Sequence, residues 1–309
     1  MIFVIFEEIT PGMKKQPVYF LFIMLLVASC GNRNKEDLSV TVPEPDLDEL
    51  VISEEAMDEV IENIASPIEV ASLLSDLQVP FSSSYLSNPE KMSDYSTSYE
   101  MAYNLGALSS DLGYLNMYNK TGTAINYLST INKLTEALDV GQFFDFVLMK
   151  RLATSENNLD SLLFVSMNSF NRMDEHLRVT DRSNLSTLMV AGVWLEGLYL
   201  ATQVYDRSQV EEVRDVIGEQ KHILGDLLII LNRYRTDDHF ASLIEDYNRI
   251  KEHFDQVSIT YEIGEPETVE VDGMLMVVQA ETSTIEMSDE TLSRIIDITE
   301  RIRNKHLNS

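Results

Sequence analysis

The chain has 309 residues, 51 of them acidic and 23 basic, giving a formal net charge of −28 at pH 7. So negative a surface repels phosphate backbones and anionic headgroups, which argues against nucleic-acid binding and against a peripheral basic membrane patch. A 44% apolar content is enough to bury a core unaided, and a single cysteine rules out an internal disulfide and a thiolate zinc cluster.

Met13-Lys14-Lys15 makes a short basic start, Val18 to Val27 an apolar centre, and Ala28-Ser29 a small-residue cleavage site before the lone Cys30. The apolar run is shorter than the ~20 residues of a spanning helix. Glu7 and Glu8 ahead of the lysines do not suit an export signal, which places the expected translation start at Met13. This leader resembles that of bacterial lipoproteins, in which the cysteine sulfur is diacylated and the preceding peptide bond is cut. The resemblance implies a signal peptide over 1–29, lipidation at Cys30 and a membrane partner through the anchor. Lys35-Glu36-Asp37 is similar to the surface-export signal of Bacteroidetes lipoproteins, so outer-membrane attachment is expected, the face it points to being left open. Removing residues 1–29 takes away two lysines and two glutamates and leaves the charge at −28.

Residues 30–53, with two prolines and many acids, read as an acidic flexible tether, and 54–309 as a single helical domain. Short helices are expected over 54–65 and 66–77, the second opened by the capping box Ser66-Pro67-Ile68-Glu69. Pro80 to Asp94 reads as a loop with a turn at Asn88-Pro89. Apolar residues at three- and four-residue steps then predict helices over 95–119, 123–138, 142–152 and 159–177. Thr121-Gly122-Thr123 is the expected break between the first two. Leu185 to Ala201 is apolar on every side and is expected at the centre of the fold; with Glu196 inside it, a membrane span is the poorer reading. Helices over 208–235, with a candidate kink at Gly218, and 239–257 follow. The period then changes to two, and Asp272-Gly273 predicts a hairpin turn within 259–278. A last helix is expected over 289–305.

The fold class read from this pattern is all-α: an antiparallel multi-helix bundle or tetratricopeptide-like array, with a small C-terminal hairpin or extended excursion. Two stretches share features. Gly106…Asp111-Leu112-Gly113-Tyr114 and Gly192…Glu196-Gly197-Leu198-Tyr199 each carry interior glycines and an acid three residues before a tyrosine. That suggests a pseudo-repeat. With Tyr103-Asn104-Leu105-Gly106 and Ala191-Gly192-Val193-Trp194-Leu195, these words resemble a group of uncharacterised Bacteroidetes lipoproteins. The resemblance implies an all-helical fold and no established activity.

Interior glycines cost about 1 kcal/mol each relative to alanine in a helix, so close helix approach or room for a ligand is the expected return. Asp111 and Glu196 lie in apolar surroundings and must be paired, hydrogen-bonded or protonated if buried. A structural ion pair, an acid–base pair and a cation-binding pocket all remain open. Asp111, Tyr114, Trp194, Glu196 and Tyr199 form the candidate ligand pocket. No catalytic residue, metal site or cofactor is expected: Glu219-x-x-His222 lacks a second such element, and Gly-x-Ser-x-Gly and phosphate loops are missing. The favoured reading is a non-catalytic envelope lipoprotein that binds or scaffolds a protein, peptide or glycan. A solute-binding lipoprotein, or an envelope hydrolase using the paired carboxylates, is the alternative.

Overall fold

The computed structural model describes residues 79–90, 95–153, 159–271 and 274–307. The leader, Cys30, the tether and the two short helices expected over 54–65 and 66–77 lie outside the described residues, as does the Asp272-Gly273 turn. The described chain is all-α with a small two-stranded antiparallel sheet, as read from the sequence.

The helices are α1 (Ser98–Met117), α2 (Thr121–Ala137), α3 (Phe146–Ala153), α4 (Leu159–Val179), α5 (Ser183–Ser208), α6 (Glu211–Asn232) and α7 (Asp238–Phe254). Strands β1 (Ser258–Val271) and β2 (Met274–Glu286) precede α8 (Asp289–Leu307). The helices and the base of the hairpin belong to one compact unit, whereas residues 262–282 fall in a separate one.

Local chemistry explains most boundaries. Thr97 accepts from the Glu100 amide, and the Glu100 side chain accepts from the Thr97 amide, a reciprocal cap that starts α1. The break before α2 falls at Asn119, whose φ of 53° is left-handed, and not at Thr121-Gly122-Thr123, which is already helical. Asparagine tolerates this conformation and ends a helix as glycine does. Helix α5 continues well beyond Ala201, because Val204 and Tyr205 keep an apolar face buried, and stops at left-handed Gln209. Helix α6 runs through Gly218, where a methyl group would meet the Ile285 side chain at 2.5 Å; the glycine answers to packing there.

The core is one continuous cluster. By length and composition α5 could cross a membrane, but 89% of its apolar window is buried against the rest of the protein. Its main partner is α1. Asn184 meets Tyr99, Met189 and Val193 meet Gly106, and the Val193 carbonyl accepts from Ser110, so the register rises together and the two helices run parallel.

The α1–α5 contact is reciprocal. A Cβ on Gly106 would run into the Met189 carbonyl and sit 2.9 Å from the Val193 nitrogen. One on Gly192 would run into the Tyr103 carbonyl and sit 3.2 Å from the Ala107 nitrogen. Each glycine therefore faces residues three before and one after its counterpart. The two glycines that the sequence pairs thus meet at one helix crossing. Gly113 and Gly197, by contrast, have open space where a Cβ would go.

Candidate functional site

Five residues past Gly106 and four past Gly192, Asp111 and Glu196 come to the same buried place. Both are fully buried. They do not hydrogen-bond to each other; Ser87, from the strip of chain before α1, lies between them. The Ser87 amide donates to Asp111 Oδ2 at 3.1 Å, and its hydroxyl lies 3.3 Å from Glu196 Oε1.

Arg303 of α8 completes the cluster. Its Nε donates to Glu196 Oε2 at 2.9 Å and one terminal nitrogen donates to Oε1 at 2.8 Å, a bidentate pair. The same nitrogen donates to the Ser87 hydroxyl at 2.9 Å and the Tyr85 carbonyl at 3.3 Å. The guanidinium lies over the Tyr199 ring, 4.5 Å from its centre, within cation–π range. Tyr127 of α2 donates to the Ser87 carbonyl.

Electrostatics follow from this arrangement. Burial pulls the Arg303 pKa down, but hydrogen bonds to Glu196 and its charge outweigh that, so the guanidinium is held more firmly protonated than usual. Burial and the negative charge of Glu196 push the Asp111 carboxyl well above the usual carboxylate range. Arg303 is committed to Glu196, and Asp111 Oδ1 has no hydrogen-bond partner among the described residues. Of these two acids and one base, Asp111 is the member without an ion-pair partner among the described residues.

The other proposed pocket residues divide. Tyr199 lies three residues from Glu196, on the same helical face, and joins the cluster. Tyr114 is nearby on α1: its hydroxyl accepts from the Ser82 amide at 3.1 Å, its ring packs on Phe81 and Tyr118, and burial pushes its pKa up to about 12. Trp194 stands elsewhere. Two residues from Glu196 on a helix is about 200° around the axis, and its indole donates to Gln220 at 3.1 Å and packs on Tyr247. Ser87, Tyr127 and Arg303 were not among the sequence candidates. Arg303 was legible in principle, since it continues the buried positions Leu292, Ile295 and Thr299 of α8. Ser87 carries no such signal.

A second buried acid ties down the same helix. Asp246 of α7 accepts from Lys305 at 2.5 Å and His306 at 2.8 Å through Oδ2, and from Arg249 at 3.3 Å through Oδ1. Burial lowers the His306 pKa from 6.5, with the Asp246 hydrogen bond opposing. The unfolded chain then binds the His306 proton before the folded one does. Its contribution to stability is therefore complete above 6.5 and lost as pH falls below it. His306→Gln is expected to flatten that acid limb in thermal melts taken from pH 7.5 to about pH 5.

Among the described residues, no three or more His, Cys, Asp or Glu side chains are grouped to hold a metal ion. Glu219 and His222 of α6 lie near the hairpin base, where Ser283 approaches Glu219 at 3.4 Å and Tyr261 packs on His222. Comparison of the chain with protein-family models, with curated proteins and with solved structures finds no match to any of them.

Proposed function

We propose that this chain is a non-catalytic, lipid-anchored protein of the bacterial cell envelope whose helical body binds or scaffolds a protein, peptide or glycan. The observation that carries the anchor is the order of basic start, apolar run and small residues immediately before Cys30. Acyl chains on that sulfur bury methylenes at about 0.8 kcal/mol each, which holds an otherwise strongly acidic body at a bilayer.

The preference for binding over hydrolysis is supported by the state of the two acids. A general acid–base pair must reach a substrate. Glu196 is instead locked to Arg303, and neither carboxylate has a surface-exposed atom to offer. The solute-binding alternative loses support for the same reason, since the cluster side chains contact one another and Trp194 belongs to a different neighbourhood.

The anchor is tested by mass spectrometry of the protein from its native host. An N-terminal diacylated Cys30 is the expected species, and Cys30→Ala is expected to move the protein from the membrane to the soluble fraction. A bare thiol with residues 1–29 still attached would remove the anchor. Cross-linking on intact cells tests the binding role: one dominant envelope partner is expected, and turnover of an envelope polymer by the purified protein would overturn it.

A further inference from the structure

The strip Val79–Glu90 crosses the helices with much of its backbone held by their side chains. The Ser82 and Ser87 amides donate to Tyr114 and Asp111, each at 3.1 Å. The Tyr85 carbonyl accepts from Arg303 and the Pro89 carbonyl from Thr130, each at 3.3 Å, and the Ser87 carbonyl accepts from Tyr127. Phe81 lies on the Tyr114 and Tyr118 rings, 5.5 Å from each centre. Val79 and Ser87 are the buried residues of this strip, and Phe81, Tyr85 and Leu86 pack partly buried against the core, so the polar clasp at Ser87 acts together with apolar contacts.

The charged and titratable groups around that clasp come from every element packed there. They are Tyr85 on the strip, Asp111 and Tyr114 on α1, Tyr127 on α2, Glu196 and Tyr199 on α5, and Arg303 on α8. Two carboxylates lie near one guanidinium, and Arg303 donates to Glu196, Ser87, Tyr85 and Asn304. Asp111 takes hydrogen bonds from Ser87 alone among the described residues, and its buried Oδ1 is unpartnered among them. Ionised, it is a second buried anion with no cation of its own, a costly state; protonated, it is only a buried polar group.

We propose that Asp111, Glu196 and Arg303 form a proton-linked clasp on the Val79–Glu90 strap, closed while Asp111 carries its proton and loosened when Asp111 ionises. The upward push on the Asp111 carboxyl from burial and from Glu196 is in the required direction. For an acid held higher in the closed state, the stabilisation is complete below its ordinary range near 3.8 and lost as pH rises through the raised value. Loosening the strap withdraws Phe81 from the Tyr114 and Tyr118 rings and bares an aromatic surface. The clasp goes beyond the binding role proposed above and does not depend on it.

The test is limited chymotrypsin digestion of the purified full-length protein from about pH 4.5 to about pH 9, with cleavage after Phe81 and Tyr85 read by mass spectrometry. Rates are normalised to the free peptide Val79–Glu90 at each pH, and cleavage after exposed Phe164 reports opening elsewhere. In the wild type, the normalised strap rate is expected to rise ~10-fold or more with pH, while the Phe164 rate stays level. Asp111→Asn is expected to give a flat profile. Glu196→Gln, which removes the competing anion, is expected to move the rise to lower pH. A flat wild-type profile would sink the clasp without any variant. An Asp111→Asn profile matching the wild type, or an unmoved Glu196→Gln midpoint, would do the same.

Discussion

Arg303→Met is expected to destabilise the folded protein by about 3–5 kcal/mol, the range for removing one partner of a buried ion pair. The reason lies in what remains. Glu196 is fully buried, and without Arg303 its one remaining hydrogen-bond partner among the described residues is the Ser87 hydroxyl at 3.3 Å. Burying an anion with so little compensation costs more than the pair itself contributes to stability. At about 2–4 °C per kcal/mol for a body of this size, the melting temperature should fall by roughly 6–20 °C. The double variant Arg303→Met, Glu196→Met should recover much of that loss, because it removes the stranded charge as well as the pair. Chemical denaturation of the two single variants and the double variant measures the coupling. If the double variant is as unstable as the sum of the singles, the pair is not coupled as the geometry requires.

The second large effect belongs to the α1–α5 contact. Gly106→Ala and Gly192→Ala are each expected to cost about 3 kcal/mol, the upper end of overpacking, because the obstruction is backbone. The Met189 and Tyr103 carbonyls cannot rotate aside as a side-chain tip would, so the helices must separate along their whole interface. One separation accommodates both methyl groups, so the double variant should cost less than the sum. Gly113→Ala and Gly197→Ala supply the contrast within the same two helices. A Cβ at either position meets nothing, and each change should stabilise by about 0.5–1 kcal/mol. Equal stabilisation at all four positions would show that helix propensity, and not close approach, governs these sites.

Clasp and crossing belong to one construction. The glycines let α1 and α5 approach in parallel, and within five residues of that contact the same geometry brings Asp111 and Glu196 to a common interior point. Helix α8 delivers the cation. Its Arg303 holds Glu196, and the adjacent Lys305 and His306 hold Asp246, so the last helix is secured by two buried acids from two different helices.

Much of this architecture was legible one helix at a time. Apolar residues recurring every three or four positions marked most of the described helices, and the all-round apolar character of Leu185 to Ala201 marked the central one. These are local properties of a chain with a 3.6-residue period, so no tertiary information was required. Boundaries were less legible where a single backbone conformation decided them, as at Asn119 and Gln209. Asp111 and Glu196 stood out as acids in apolar surroundings, and Gly106 and Gly192 as glycines where alanine would serve a lone helix better.

The partners of those residues could not be read from the sequence. Glu196 meets Arg303 across 107 positions and Ser87 across 109, and a side chain's own neighbourhood carries no trace of what arrives from so far along the chain. That Gly106 and Gly192 touch, while Gly113 and Gly197 face open space, was likewise decided by how the helices cross. Sequence periodicity determined which faces are buried, because burial of apolar surface needs only a face. Tertiary packing alone decided which acid received the cation and which was left without one, because that choice depends on distances of a few ångströms between elements remote in the chain.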